Sequence, residues 1–117
     1  MRRGEIWTVS GRTEYAGKPR PVVIVQDDNF DGTESITICA FTTDETDVPL
    51  FRLLVEPSER NGLRAASRMM VDKLTTVPKS KVGKRIGSLE DADVLRLNQA
   101  MLVFLGLAVS PRARSER

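Results

Sequence analysis

No histidine occurs anywhere in the 117 residues. That gap removes imidazole acid/base chemistry, catalytic triads and every histidine-ligated metal site. Cysteine is almost as scarce: Cys39 stands alone, which excludes an internal disulfide and fits a reducing cytosol. Set within an apolar run, it reads as a buried, inert thiol rather than a nucleophile. No apolar stretch approaches the ~20 residues needed to cross a bilayer. Nor does an apolar segment follow Met1-Arg2-Arg3-Gly4-Glu5, so no secretory signal, no membrane partner and a cytoplasmic location are expected. Asp44, Glu45 and Asp47 lack the spaced oxygen ligands and obligate glycine of a calcium loop. They read as a solvated turn, and neither a metal nor another cofactor is expected.

What is present is an ordinary globular composition, long enough for one domain with its own core. That domain is expected over residues 1–109, with 110–117 a basic, disordered tail carrying Arg112, Arg114 and Arg117. Net charge is +2, unevenly spread. From Pro21 to Phe51 there is no Lys or Arg and there are seven acids, so that segment is −7 and the remainder +9. The asymmetry allows an electropositive face beside acidic loops, which suits a polyanionic ligand; solvated surface charge would leave the same trace.

The chain is organised around Lys18-Pro19-Arg20-Pro21-Val22-Val23-Ile24-Val25-Gln26. Four consecutive apolar residues, Val22 to Val25, predict a strand buried on both faces and therefore central. Pro21 can only open it, and each proline holds the residue before it in extended backbone. One fixed cation, Arg20, thus stands at the mouth of the core strand, with Lys18 just before it.

Around that strand, Glu5 to Val9 alternates as a first strand, with Ile6 and Thr8 on one side and Trp7 and Val9 on the other. Ser10 to Lys18 reads as a polar loop with Arg12, Glu14 and Tyr15 at its tip. Ser35 to Phe41 is a third strand that delivers Thr42 and Thr43. Leu50 to Val55 is a fourth, Asn61-Gly62 a tight turn, and Ser67 to Val71 a fifth leading into Asp72 and Lys73. Leu74 to Val77 continues as another short strand, Pro78 to Val82 as a brief helical turn, and Ile86 to Leu89 as a last strand. Ser88-Leu89-Glu90-Asp91 has the form of a capping box. Behind it Val94, Leu97, Met101 and Phe104 recur at helical spacing, flanked by Leu95, Leu102 and Leu105, until Gly106 stops the helix. The apolar stripe is wide for so small a domain, so part of it is expected to cover a partner subunit. The fold class is mostly β: a small curled antiparallel barrel of six to seven short strands with a C-terminal helix.

Several stretches together resemble the MazF/PemK/Kid toxins of bacterial toxin–antitoxin pairs. They are Arg3-Gly4-Glu5-Ile6-Trp7, the segment from Lys18 to Gln26, and Ala40-Phe41-Thr42-Thr43, followed by Asn61-Gly62-Leu63, Asp72 to Val77, and Ile86-Gly87-Ser88-Leu89. The resemblance runs from Arg2 to about Leu107. It implies an SH3-like barrel, a homodimer, and a metal-independent, sequence-specific endoribonuclease acting on single-stranded RNA. It also implies a cognate MazE-like antitoxin whose acidic C-terminal segment occupies the RNA groove. Arg20 falls at the family's catalytic arginine, and Thr42 at the threonine or serine ending the third strand, with Thr43 a one-residue alternative. Asp72 matches an acid that some members use for catalysis or substrate contact. Met70 stands where those members carry an arginine, so the arginine–threonine version fits better.

The chemistry is consistent with that assignment. RNA carries its own nucleophile in the 2′-hydroxyl, so an enzyme need only orient the phosphate, stabilise charge and manage two protons. Arginine stays charged and its fork grips two phosphate oxygens. Lys18, Arg12, Arg64, Arg68 and Lys73 are candidate phosphate or base contacts, and Tyr15 could stack an unpaired base. Asp72 could equally be a salt-bridge partner of Lys73 or Arg68. Two competing readings keep the barrel: a non-nuclease toxin that inhibits DNA gyrase, and a non-catalytic SH3-like binding module.

Overall fold

A computed structural model describes residues 1–10, 18–46 and 50–108. The tip of the first loop with Arg12 and Tyr15, the acid Asp47 and the tail 110–117 lie outside the described residues. Six strands follow in chain order: β1 (Glu5–Val9), β2 (Arg20–Ile24), β3 (Ser35–Thr42), β4 (Arg52–Val55), β5 (Ser67–Pro78) and β6 (Val82–Ser88). One helix, α1 (Asp91–Phe104), closes the chain. All pairings are antiparallel and the sheet order is β4-β5-β3-β2-β1-β6.

Connectivity forces this sheet to curl. β5 and β6 are separated by three intervening strands, which in a flat sheet would put them ~19 Å apart. Only the short 3₁₀ turn Lys79–Lys81 joins them, and the four Cα–Cα steps from Pro78 to Val82 reach at most ~14 Å. The two sides of the sheet therefore approach one another. Val77 of β5 and Val82 of β6 pack on the same buried cluster of Val9, Val22, Ile24, Ile36 and Ile38. The result is the mostly β, small curled architecture with a C-terminal helix.

On the opposite face Ile6, Val23, Cys39, Met69, Val71 and Leu97 belong to a second cluster, between the sheet and α1. β2 feeds both clusters, Val23 one and Val22 and Ile24 the other, as a central strand buried on both faces must. Cys39 is fully buried, and burial pushes its thiol up to about 12.

Several boundaries differ from the sequence reading. β4 begins at Arg52 rather than Leu50. The expected fifth strand and the short one after it are a single strand, β5, interrupted by a bulge. β6 starts at Val82 rather than Ile86. The capping box does not form: Ser88 ends β6, where its hydroxyl accepts from Arg85 at 2.9 Å. Glu90 is the N-cap residue of α1 without a side-chain capping bond, and its carboxylate accepts from Ser58 Oγ at 2.8 Å.

The C-terminus of α1 follows the expectation. Gly106 adopts φ +77°, the Leu107 amide donates to Leu102 O at 2.8 Å, and the Gly106 amide donates to Val103 O at 3.1 Å. That is the paired hydrogen bonding of a Schellman stop. Leu97 and Ala100 are buried, and Phe104 packs its ring 6.0 Å from that of Phe51. Leu95, Leu102 and Leu105 remain exposed.

Candidate active site

Two ladder registers bring the expected pair together. Val22 pairs with Ala40, and Val9 with Arg20. Continuing the β2–β3 register by two residues sets Arg20 opposite Thr42, and Thr42 in turn pairs with Arg68 of β5. Residues on one rung of an antiparallel sheet share a face. Accordingly Arg20 and Thr42 both line a groove of about 650 Å³.

The groove floor is apolar, built from Val22, Ile38, Ala40 and Val77. Its rim holds hydroxyls of Ser10, Thr42, Thr75 and Thr76 together with the cations Arg20, Lys73 and Lys81. Among the described residues none of its lining side chains is acidic. This stands out because β2 and β3 lie in the −7 segment, two of whose acids are engaged elsewhere. Asp28 accepts from the Arg3 amide at 2.7 Å, and Asp44 accepts from the Thr46 amide at 3.0 Å and hydroxyl at 2.9 Å. These bonds to the charged form hold both carboxyls below their usual range.

Thr42 Oγ1 accepts from the Asp44 amide at 3.1 Å. A hydroxyl that accepts this way still has its own proton to donate, so Thr42 keeps a donor available at the groove. The turn is tethered from behind by Arg68, whose Nη1 donates to Asp44 O at 3.4 Å. Thr43 is exposed and does not line the groove, so the structure places Thr42, not its neighbour, beside Arg20.

The remaining expected residues divide. Lys73 lines the groove; Lys18 and Arg64 are exposed outside it, and Arg68 serves the Asp44 turn. Asp72 does not line it either. Its carboxylate is gripped at both oxygens by Arg52, with Nε to Oδ1 at 2.6 Å and Nη2 to Oδ2 at 2.9 Å. That fork lowers the Asp72 pKa and raises that of Arg52. Its partner is therefore Arg52, not Lys73 or Arg68. Lys81, Thr75 and Thr76 were missed in the sequence. Period-two spacing from Lys73 through Thr75 to Val77 was a usable signal for Thr75; Lys81 enters only because the sheet curls.

The chain matches the family model of the PemK-like, MazF-like toxins of type II toxin–antitoxin systems over residues 2–105. It is 52% identical over 108 residues to a probable endoribonuclease MazF of Mycolicibacterium smegmatis, covering 92% of this chain and 99% of the relative. Among solved structures it is similar to a mycobacterial endoribonuclease in complex with its cognate antitoxin (TM-score 0.77, 22% identity, 94% of this chain and 99% of that one). A MazE–MazF complex from Deinococcus radiodurans superposes with TM-score 0.72 at 14% identity, covering 92% and 97%. At those identities the structural likeness is one of fold, while the family model and the close relative carry kinship. The chain belongs to the PemK-like, MazF-like toxins of type II toxin–antitoxin systems.

Proposed function

We propose that this chain is an endoribonuclease that cuts single-stranded RNA through attack of the 2′-hydroxyl on the adjacent phosphorus. The observation that supports the reading is that Arg20 and Thr42 line one groove with Lys73 and Lys81 and, among the described residues, with no acidic side chain. The 2′-oxygen forms a bond to phosphorus as it gives its proton to water. The bond to the 5′-oxygen breaks, and that oxygen takes a proton from Arg20, which regains one from solvent, leaving a 2′,3′-cyclic phosphate and a 5′-hydroxyl. Arg20 binds the non-bridging oxygens and stabilises the charge that builds on them in the pentacovalent state. Donation from one such fixed group is worth about 10²–10³ in rate. Thr42, already accepting from the Asp44 amide, donates to the phosphate and fixes the in-line geometry. A guanidinium is a poor acid at neutral pH, so turnover is slow beside that of histidine ribonucleases.

Bases lie on the aliphatic floor while phosphates meet Lys73 and Lys81. Cutting is at a short defined sequence and arrests translation and growth. The working form is a homodimer, to which the exposed leucines of α1 contribute buried surface. A MazE-like antitoxin neutralises it by laying an acidic C-terminal segment in the same groove. Incubating the purified protein with a long RNA in EDTA tests the activity. The expected result is cleavage at one short sequence with 5′-hydroxyl ends. Intact RNA would overturn the reading, and arrest of DNA gyrase alongside it would point to the non-nuclease toxin instead.

A further inference from the structure

The β3–β5 ladder breaks at one place. Cys39 pairs with Leu74, and the next rung pairs Phe41 with Met69. Between those rungs β3 supplies one residue, Ala40, whereas β5 supplies four, Met70 to Lys73. The surplus backbone has to go somewhere definite, because Met70 and Lys73 at its two ends both line the groove. Inside the bulge Val71 is fully buried in the core, and its amide donates to Phe51 O at 2.9 Å. Asp72 points the other way, into the fork of Arg52 on β4. Both side chains of that pair are largely shielded, at 15% and 21% exposure.

We infer that Arg52 and Asp72 are a pair of positioning residues, which pin the β5 bulge so that Lys73 is held against an RNA phosphate in the groove. This rests on the ribonuclease reading for what Lys73 meets, but not for the bulge itself. Asp72 is not a catalytic residue here. Both its oxygens are engaged, and freeing one would strip Arg52 of half its fork. A planar fork also explains why arginine rather than lysine stands at position 52: two parallel bonds fix the carboxylate's orientation, and with it the backbone on either side.

The experiment compares wild type with Asp72→Asn, Arg52→Gln and the charge-keeping Arg52→Lys in the full chain. Amide hydrogen exchange over residues 70–73 is read beside steady-state cleavage of an RNA oligonucleotide across pH. Expected are faster exchange in the two neutral variants and a loss of about ten- to a hundredfold in kcat/KM, carried mainly by KM. The shape of the pH–rate profile stays unchanged, and Arg52→Lys falls between. Loss of kcat together with one limb of the profile, at unchanged exchange, would overturn the proposal and make Asp72 a catalytic group. Unchanged exchange and unchanged KM in both neutral variants would overturn it equally. A wild type that cuts no RNA would sink the ribonuclease reading alone, since exchange still decides whether the pair holds the bulge. If Asp72→Asn does not fold, Arg52→Lys carries the same measurements.

Discussion

Thr42 pairs with Arg68 across β3 and β5, and the two meet again through Asp44, whose amide donates to Thr42 Oγ1 and whose carbonyl accepts from Arg68 Nη1. The hydroxyl is thereby fixed from two sides before any substrate arrives. Thr42→Ala should lower cleavage by about tenfold or more, and Arg20→Ala by about 10²–10³, with folding intact. Thr43→Ala should leave the rate near wild type. Single-turnover assays in EDTA, beside circular dichroism of each variant, check all three.

Lys73, in the middle of β5, and Lys81, in the turn that follows it, both line the groove and are assigned to separate phosphates. On single-stranded RNA each phosphate contact contributes about 0.7 to the slope of log K against log salt. Lys73→Met and Lys81→Met should each lower that slope by about this amount, weakening binding alike for different sequences. Titrations with an uncleavable 2′-O-methyl oligonucleotide at four salt concentrations measure it.

Asp72 has a folded pKa below its ordinary 3.8 because Arg52 hydrogen-bonds the charged form. A depressed carboxyl stabilises the fold above 3.8 and gives that stability up as pH falls through the folded value. Asp72→Asn should therefore cost about 2 kcal/mol at neutral pH, with the gap from wild type closing below pH 3.8. Urea titrations at several pH values would show it, and a gap that widened in acid would contradict it.

Gly62 has φ +70°, and a Cβ there would stand 2.1 Å from Ile86 O. Its corner is anchored by fully buried Asn61, whose side chain accepts from the Ser58 and Leu63 amides and donates to Glu56 O. Gly62→Ala should cost at least about 2 kcal/mol from left-handed strain plus the clash. For a chain of this size that lowers Tm by on the order of 10 °C, which calorimetry would register.

What was legible in the sequence was whatever depends on neighbours along the chain. Val22 to Val25 announced a central strand because nothing polar interrupts them, and Gly106 announced the stop of α1. Arg20 stood out as a cation held between two prolines, the resemblance gave it and Thr42 their roles, and the sheet brings both to one groove. The rest turned on partners far away in sequence. Ser88 could not cap α1 because the sheet had already claimed its backbone through Glu5. Nothing near Asp72 pointed to Arg52, 20 positions earlier, and no periodicity shows a bulge that breaks the period itself.

The strand order has a consequence for synthesis. β1 is paired by β2 early, but its outer edge waits for β6, with Glu5 meeting Ser88 only when nearly all of the described chain exists. Until residues 82–88 leave the ribosome, β1 offers a bare row of amides and carbonyls, and Trp7 and Val9 lack Val82 beside them. A contact of such long range also makes folding slow. The emerging polypeptide thus carries positions 20 and 42 well before it can assemble the curled sheet that brings them to one groove.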